Sequence, residues 1–467
     1  MSIIIPANSA SAAGGFQVDN SVRFNGGSDD HLKRTLGTAT NVKKFTMSWW
    51  FKGTGIATGC MFEAASGNVQ NGAFVYLKTD DILIDSIVGN SETMKLVPTA
   101  HYQDYSAWYH FCLAVDVTLG TAADRNKLYI NGERVTDFVT QTNAGQNATR
   151  MFNTAVEHLI GVDVYNTGGS IGSEFNGYIS EFVFIDGSQE EVTAFGEFEE
   201  DSGIWRPIDP SELTFGNNGF YLDFQDSSAL GNDVSGNNND FTVVNLTANS
   251  QSTDTCTNNF ATLNPLNVNP ANTNTFSEGN LKAQLNGEGT TSTMAMASGN
   301  WYMEYKCSGN ITQWTGVEEI DSLISLQYSS ATKSVALYVG GATMYVNGAN
   351  QGSGGYGSGW SSGDIGMIAF DADNARVYFG KNGGWWNGSS YGASSPSTYV
   401  AATTGKTYYF RFVKGGNTTC DYEVNFGGTQ SFAISSGNTD GNDYGNFEYA
   451  VPSGYYSLCT KNLAEYG

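Results

Sequence analysis

Hydrophobic residues recur along this chain in short runs that alternate with polar residues, and clusters of Gly, Asn, Ser and Asp separate the runs. In the first part of the chain the alternation is clearest in residues 45–53, 108–116 and 177–187. A two-residue period places successive side chains on opposite faces of a strand. These segments are therefore predicted to be β-strands with at least one buried face.

The same alternation of hydrophobic and polar residues recurs in the last two hundred residues, in segments 301–307, 334–348, 364–386 and 407–413. Asn-Gly pairs, which favour the type I′ turn of a β-hairpin, occur at Asn131-Gly132, Asn347-Gly348 and Asn382-Gly383. No segment of ten residues or more has a convincing helical period. The pattern predicts an all-β protein with two antiparallel β-sandwiches in tandem.

A change in composition between residues 196 and 270, toward proline and polar residues, predicts the junction between the sandwiches. Four of the eight prolines and the polar tract 226–240 lie there, although 219–224 and 241–246 still have strand character. The expected organisation is an N-terminal docking arm (1–15), a first sandwich (16–195), an ordered polar strap (196–270) and a second sandwich (271–467).

The arm begins with three consecutive isoleucines before Pro6 and has no pattern that would let it fold by itself. It is therefore expected to become ordered only against a partner. The alternative is that Ile3 to Ile5 complete the first sandwich as an edge strand.

Charge and composition restrict the function. The 467 residues include 46 acidic and 22 basic side chains, a formal net charge of −24. A surface of that sign repels phosphate backbones, which argues against nucleic-acid binding. No run of 18 apolar residues occurs, so no membrane insertion is predicted. The six cysteines are scattered without a C-x-x-C pair, which predicts small buried thiols in a protein made in a reducing cytoplasm.

Several of these segments resemble known domains. Residues 22–37, 45–53 and 177–187 resemble laminin-G-like, concanavalin A-like jelly rolls. The strand pair in 363–386 resembles the SPRY domain, which is another concanavalin A-like sandwich. The resemblance implies a fold of two concanavalin A-like jelly rolls.

The segment 219–266 and the C-terminal 451–463 resemble the linker and tail of virion proteins of marine and cyanobacterial tailed phages. In those proteins a laminin-G-like and a SPRY-like domain occur in tandem. The resemblance implies a virion structural or tail-fibre protein, made in the host bacterial cytoplasm and located in the virion.

The expected function is structural and adhesive. The arm would bind other virion proteins, the sandwich loops would contact host surface glycans, and a homo-oligomer is expected. The alternative is a purely architectural decoration, collar or adaptor subunit that binds only other virion proteins.

Catalysis is not expected. Glycanases with a concanavalin A-like fold carry the pattern E-x-D-x-x-E, because hydrolysis needs one carboxyl group to protonate the leaving oxygen and another to attack or activate water. Here Glu319 and Asp321 fit the first two positions, but Ile324 occupies the position of the acid/base. A polysaccharide depolymerase is therefore the weaker alternative.

His110 lies within a predicted strand, where a half-buried, hydrogen-bonded histidine is favoured over a catalytic base.

Aromatic residues in polar loops are the best binding candidates, because their rings stack on sugar faces or anchor a protein partner. Trp314 and Trp360 lie outside clear strands, Tyr356 lies in a Gly/Ser loop, and Trp386 follows the Asn382-Gly383 turn. These four are the predicted ligand-binding residues.

No cofactor is predicted, with Ca²⁺ as the one candidate ion. The sequence Asp371-x-Asp373-Asn374 begins like a calcium loop, but it lacks the later glycine and glutamate and is better explained as a tight turn. The laminin-G-like resemblance implies a calcium position near the sandwich rim, which makes Asp29, Asp30 and Asp163 candidate ligands.

Overall fold

The computed structural model describes most of the chain in two compact units that divide between Thr257 and Asn258. The described residues are 15–55, 58–66, 71–79, 81–148, 151–164, 171–268, 274–286, 289–309, 311–322, 331–352, 355–357, 359–415 and 420–467. The docking arm predicted in residues 1–15 lies outside them, except for Gly15.

The first unit is built almost entirely of strands. They are β1 (Ser21–Phe24), β2 (His31–Thr35), β3 (Lys44–Gly53), β4 (Gly59–Ala65), β5 (Gly72–Lys78), β6 (Asp81–Val88), β7 (Ser91–Pro98), β8 (Tyr109–Asp116), β9 (Asn126–Ile130), β10 (Glu133–Arg134), β11 (Phe138–Thr142), β12 (Glu157–Ile160), β13 (Gly177–Asp186), β14 (Gly196–Phe198), β15 (Trp205–Pro207), β16 (Phe220–Leu222), β17 (Thr242–Val244) and β18 (Gln251–Ser252).

Two antiparallel sheets of this unit pack face to face. The first has the order β10-β9-β8-β3-β13-β1-β18 with β16 beside β13, and the second has the order β11-β7-β6-β5-β4-β12-β2-β17. In β3 the predicted alternation is confirmed. Trp49 lies in the core between the sheets, stacked 4.3 Å from Phe111 and 4.5 Å from Phe182, while Trp50 belongs to a separate cluster on the outer face.

The outer face of the first sheet is covered by residues 192–219, here called the cover segment. Its side chains Phe195 and Trp205 pack with Trp50, Cys112 and Tyr221 of the sheet. The sheet is therefore buried on both faces, and the polar side chains of its outer face, such as Ser48 and His110, are buried with it.

The segment 196–270, predicted as a strap, is shared between the two units. Strands β16, β17 and β18 join the sheets of the first unit, and the buried Lys52 and Asp254 pair at 2.8 Å. Ala261 and Leu263 belong instead to the core of the second unit. The units divide between Thr257 and Asn258, and not at the predicted limits of the strap, residues 196 and 270. The strands of this segment are short and pair with residues distant in sequence, so the sequence pattern did not show that they belong to the first unit.

The second unit contains β19 (Thr275–Ser277), β20 (Lys282–Leu285), β21 (Thr290–Thr291), β22 (Asn300–Ser308), β23 (Gln313–Glu319), β24 (Ser334–Tyr338), β25 (Thr343–Val346), β26 (Ala349–Asn350), β27 (Ile365–Asp371), β28 (Arg376–Lys381), β29 (Gly384–Trp386), β30 (Tyr391–Ala393), β31 (Val400–Ala401), β32 (Tyr408–Lys414), β33 (Cys420–Asn425) and β34 (Tyr456–Ser457). One sheet has the order β19-β20-β33-β22-β27-β28-β29-β30, with β31 beside β28 and β34 parallel to β22. The other has the order β21-β32-β23-β24-β25-β26.

The predicted turns of this unit are confirmed. Asn347 (φ 51°) and Gly348 (φ 79°) connect β25 to β26, and Asn382 (φ 48°) and Gly383 (φ 84°) connect β28 to β29. Both pairs have the positive φ angles of a type I′ turn. Between β27 and β28, the Asp371 carboxylate accepts hydrogen bonds from the backbone and side chain of Asn374, as expected for a tight turn.

Helices contribute little to the described residues. They are the α-helix α1 (Thr460–Tyr466) and the 3₁₀ helices Ala122–Asp124, Val192–Ala194, Ala248–Ser250 and Val339–Gly341. In the part of the chain that the structure describes, no helix is long and apolar enough to cross a membrane. All six cysteines are free thiols, and all but Cys256 are buried. With antiparallel sheets in both units and few helical residues, the protein is an all-β protein of two sandwiches, as predicted.

Candidate functional site

A surface pocket in the second unit lies where the Gly/Ser loop before β27 meets the β28–β29–β30 hairpins. Its volume is about 390 Å³, and it is lined by Gly357, Lys381, Asn382, Ser389, Ser390 and Tyr391. Such a volume is within the range of small-molecule pockets. Hydroxyl, amide and ammonium groups together with one aromatic side chain therefore face a ligand-sized space.

Short-range hydrogen bonds fix the polar rim of this pocket. Asn382 accepts from the Ile365 amide at 2.8 Å and donates to an Asp364 carboxylate oxygen at 2.7 Å. The backbone amides of Ser389 and Ser390 donate to the Asn387 side-chain oxygen at 3.0 and 2.9 Å. Both serines are exposed. The Ser389 hydroxyl donates to the Asn387 side-chain oxygen at 3.0 Å and can still accept from a ligand, and the Ser390 hydroxyl can donate to one.

A cluster of aromatic rings packs around Tyr391 of the pocket. Tyr391 lies 5.3 Å from Trp386 and 5.6 Å from Trp360, and Tyr356 lies 5.4 Å from Trp386. The two tryptophans are each only 5% exposed. They hold Tyr391 and Tyr356 in place rather than presenting open ring faces.

Gly357 allows the loop to approach this aromatic group. Its φ is +80°, and a Cβ atom there would lie 2.6 Å from a ring carbon of Tyr391. A larger residue would therefore force the loop away from Tyr391.

The structure brings together three of the four predicted ligand-binding residues, Tyr356, Trp360 and Trp386. Trp314 is elsewhere, and the expectation that it lies outside a strand is wrong, because it is part of β23. It stacks 4.7 Å from Tyr338 and is only partly exposed. The sequence reasoning missed Lys381, Ser389, Ser390 and Tyr391, whose only signal was their closeness in sequence to the Asn382-Gly383 turn and Trp386.

The predicted calcium ligands do not form one site. Asp163 is fully buried and accepts a hydrogen bond from the Tyr76 hydroxyl, whereas Asp30 accepts from the Asn25 amide at 3.2 Å. Asp29 lies in an exposed turn with a φ of 56°. Within the described residues, no group of three or more His, Cys, Asp or Glu side chains is arranged to hold a metal ion. Among the described residues, the three aspartates are therefore not brought together as carboxylate ligands of one ion.

The broken glycanase pattern does not produce a cleft carboxylate pair. Glu319 ends β23 and is 5% exposed, while Asp321 is exposed and pairs with Lys333 at 2.6 Å. That ion pair and its hydrogen bond hold the pKa of Asp321 below its ordinary value. Ile324 lies outside the described residues.

A second polar cluster lies in the first unit beneath the cover segment. Ser48, His110 and Glu181 line a cavity of only about 10 Å³, which is room for a single water molecule. The Ser48 hydroxyl and His110 Nε2 are 2.8 Å apart, and Glu181 accepts a hydrogen bond from Tyr221. The cavity is too small for a substrate. His110 is hydrogen-bonded through Nε2, as expected, but it is fully buried and not half-buried.

This buried cluster predicts a pH optimum for stability. Burial raises the pKa of Glu181 from 4.5 to about 8, so folding retains a proton that the unfolded chain releases and stability falls as pH rises through that interval. Burial lowers the pKa of His110 from 6.5 to about 3, so the stability that His110 contributes is lost as pH decreases below 6.5. Between pH 4.5 and 6.5 this effect opposes that of Glu181, and below pH 4.5 it acts without that opposition. We expect Glu181→Gln to abolish the decline in the Tm of the first unit between pH 7 and 8, which lies above the raised pKa values of Glu304 (about 7) and Asp85 (about 6), and to keep the acid decline.

Thermal unfolding measured from pH 4 to 9 checks this. Glu197→Gln, on the exposed face of β14, is the control and should keep both declines. An unchanged alkaline decline in Glu181→Gln would show that another group is responsible.

Comparison with known proteins gives one family match, and it concerns the first unit. Residues 25–192 match the family model described as the Concanavalin A-like lectin/glucanases superfamily. The matched region ends at the first residue of the cover segment and covers about a third of the chain. No curated protein sequence matches this chain.

Solved structures give more distant likenesses. A SAP-like pentraxin from Limulus polyphemus is similar over 38% of this chain and 80% of its own, with 19% identity and a TM-score of 0.30. Domains LG4-5 of the mouse laminin alpha1 chain are similar over 90% of this chain and 92% of their own, with 11% identity and a TM-score of 0.32. The SPRY domain of human HERC1 covers 33% of this chain and 90% of its own, with 13% identity and a TM-score of 0.25.

Proposed function

We propose that this protein is a non-catalytic adhesion protein that binds glycans through the pocket of its second unit. The observation that carries the proposal is the pocket itself, in which exposed Ser389 and Ser390 and the amide of Asn382 lie beside Tyr391. Sugars present hydroxyl groups and apolar C–H faces, which these two kinds of side chain recognise. The match of the first unit to the Concanavalin A-like lectin/glucanases superfamily model supports a role with glycans.

A place in the particle of a tailed phage is part of this proposal. It is supported by the resemblance of residues 219–266 and 451–463 to virion proteins of such phages. Contacts with other virion proteins through the N-terminal arm, and assembly of several copies, belong to the same proposal.

Tyr391→Ala should weaken glycan binding about tenfold, because it removes the aromatic side chain of the pocket, and tenfold corresponds to about 1.4 kcal/mol. Binding of the full-length chain to an array of bacterial surface polysaccharides measures the effect. Tyr399→Ala is the matched control, since Tyr399 is a 47% exposed tyrosine of the same unit that does not line the pocket. Equal binding by both variants would reject the pocket as the site.

The architectural alternative is favoured by a different feature. Strand β11 lies at one end of its sheet, and Val139 on it is 70% exposed. An edge strand of this kind accepts an added strand from another chain. If no glycan binds and the protein is retained in particles through β11, the architectural role is correct.

A further inference from the structure

We infer that the pocket selects neutral glycans over anionic ones, because the cation that lines it is neutralised within the site. This inference rests on the proposed glycan-binding function. Lys381 is the charged residue among those that line the pocket. Taken alone, it would predict a preference for uronates, sulfates or sialic acids.

The contacts of Lys381 argue against that preference. Its ammonium lies 2.9 Å from an Asp364 carboxylate oxygen, donates to the Gly359 carbonyl at 2.6 Å and sits 5.2 Å from the centre of the Trp360 ring. An ammonium has three donors, and two of them are already used. The Asp364 carboxylate balances its charge, so the pair presents no net positive charge to a ligand.

Further hydrogen bonds hold the Asp364 carboxylate beside the Lys381 ammonium. It also accepts from the Ser361 amide and the Asn382 side chain, both at 2.7 Å. Burial raises the pKa of Asp364, but the hydrogen bonds from Lys381 and Asn382 more than offset this and hold it below its ordinary value. The carboxylate is therefore ionised at neutral pH.

Solvent screening does not remove the pairing. The side chains of Lys381 and Asp364 are each 16% exposed, and partly buried charges are screened much less than exposed ones. An anionic sugar would thus meet a paired ammonium beside a fixed carboxylate, and it would approach a chain with a net charge of −24. A neutral sugar meets the hydroxyls of Ser389 and Ser390 without this repulsion.

The test measures binding of the full-length protein to two neutral polymers, dextran and galactan, and to the polyuronate alginate. The wild-type protein should bind at least one neutral polymer and bind alginate at least tenfold more weakly. Affinity for the neutral polymer should not change between 50 and 500 mM NaCl, because no net charge interaction contributes.

Asp364→Asn should expose the charge of Lys381 and raise alginate affinity about tenfold. Asp321→Asn is the matched control, since it makes the same change of net charge and also releases a lysine, Lys333, but away from the pocket. The double variant Asp364→Asn/Lys381→Gln should lose the gain. Circular dichroism and thermal unfolding check that each variant is folded.

The outcomes separate the inference from the function on which it rests. Wild-type preference for alginate, or an equal gain in Asp364→Asn and Asp321→Asn, overturns neutral selectivity and leaves glycan binding standing. Absence of binding to all three polymers and to the polysaccharide array counts against both. If Asp364→Asn does not fold, the wild-type ratio of affinities and its salt dependence still decide the question.

Discussion

A chain that ends at residue 195 should fail to fold into a stable first sandwich, whereas a chain that ends at Thr257 should unfold cooperatively. The shorter chain lacks β16, β17 and β18, each of which pairs with a strand of the first unit. It also lacks Trp205 and Phe215, which cover the outer face of the first sheet. Exposed apolar surface of this kind promotes aggregation.

Loss of Asp254 adds a further penalty to the shorter chain. Lys52 has a side chain only 1% exposed and would lose its carboxylate partner, and breaking a buried pair in this way costs about 3–5 kcal/mol. Thermal unfolding of the two fragments, followed by circular dichroism, measures the difference. Equal stability of the fragments would show that residues 196–257 are only a connection, as the sequence suggested.

Glu318→Gln should destabilise the second unit by about 3–5 kcal/mol, because it removes the carboxylate from a buried ion pair. Glu318 on β23 pairs with Arg411 on the neighbouring strand β32, and the Arg411 side chain is fully buried. Asp321→Asn is the control, because its ion pair with Lys333 is exposed and should contribute nothing measurable to Tm.

Denaturant unfolding of the full-length chain gives both values. The transition of the second unit should move in Glu318→Gln and stay in place in Asp321→Asn. Similar midpoints for the two variants would mean that the buried pair is replaced by other contacts at little cost.

Local features of the fold were predictable from the sequence. The turn at Asn382-Gly383 follows from the need for two positive φ angles, and the turn at Asp371 follows from carboxylate capping of the backbone. The alternation around Trp49 and Trp50 identified β3. In each case the cause lies within about ten residues of the feature.

Features with distant causes were not predictable in this way. The sequence indicated strand character in 219–224 and 241–246, where β16 and β17 lie, but their pairing with β13 and β2 joins residues far apart in the sequence. Strand β18 has two residues, too few to show a period. The burial of Trp360 and Trp386 depends on the meeting of a Gly/Ser loop with β29 and β30. In the sequence, Lys381 and Ser389 cannot be told from ordinary surface residues, because only the contact of the loop with β29 and β30 places them in the pocket.

The cover segment determines where genetic exchange can separate the two units. A recombination point at residue 192, where the lectin-like match ends, would deliver a sandwich with Trp50, Cys112 and Val183 of its outer sheet face open to water. A point between Thr257 and Asn258 transfers the first unit with all of its paired strands. Surviving chimaeras that exchange this unit should therefore carry residues 193–257 from the same parent as the sandwich.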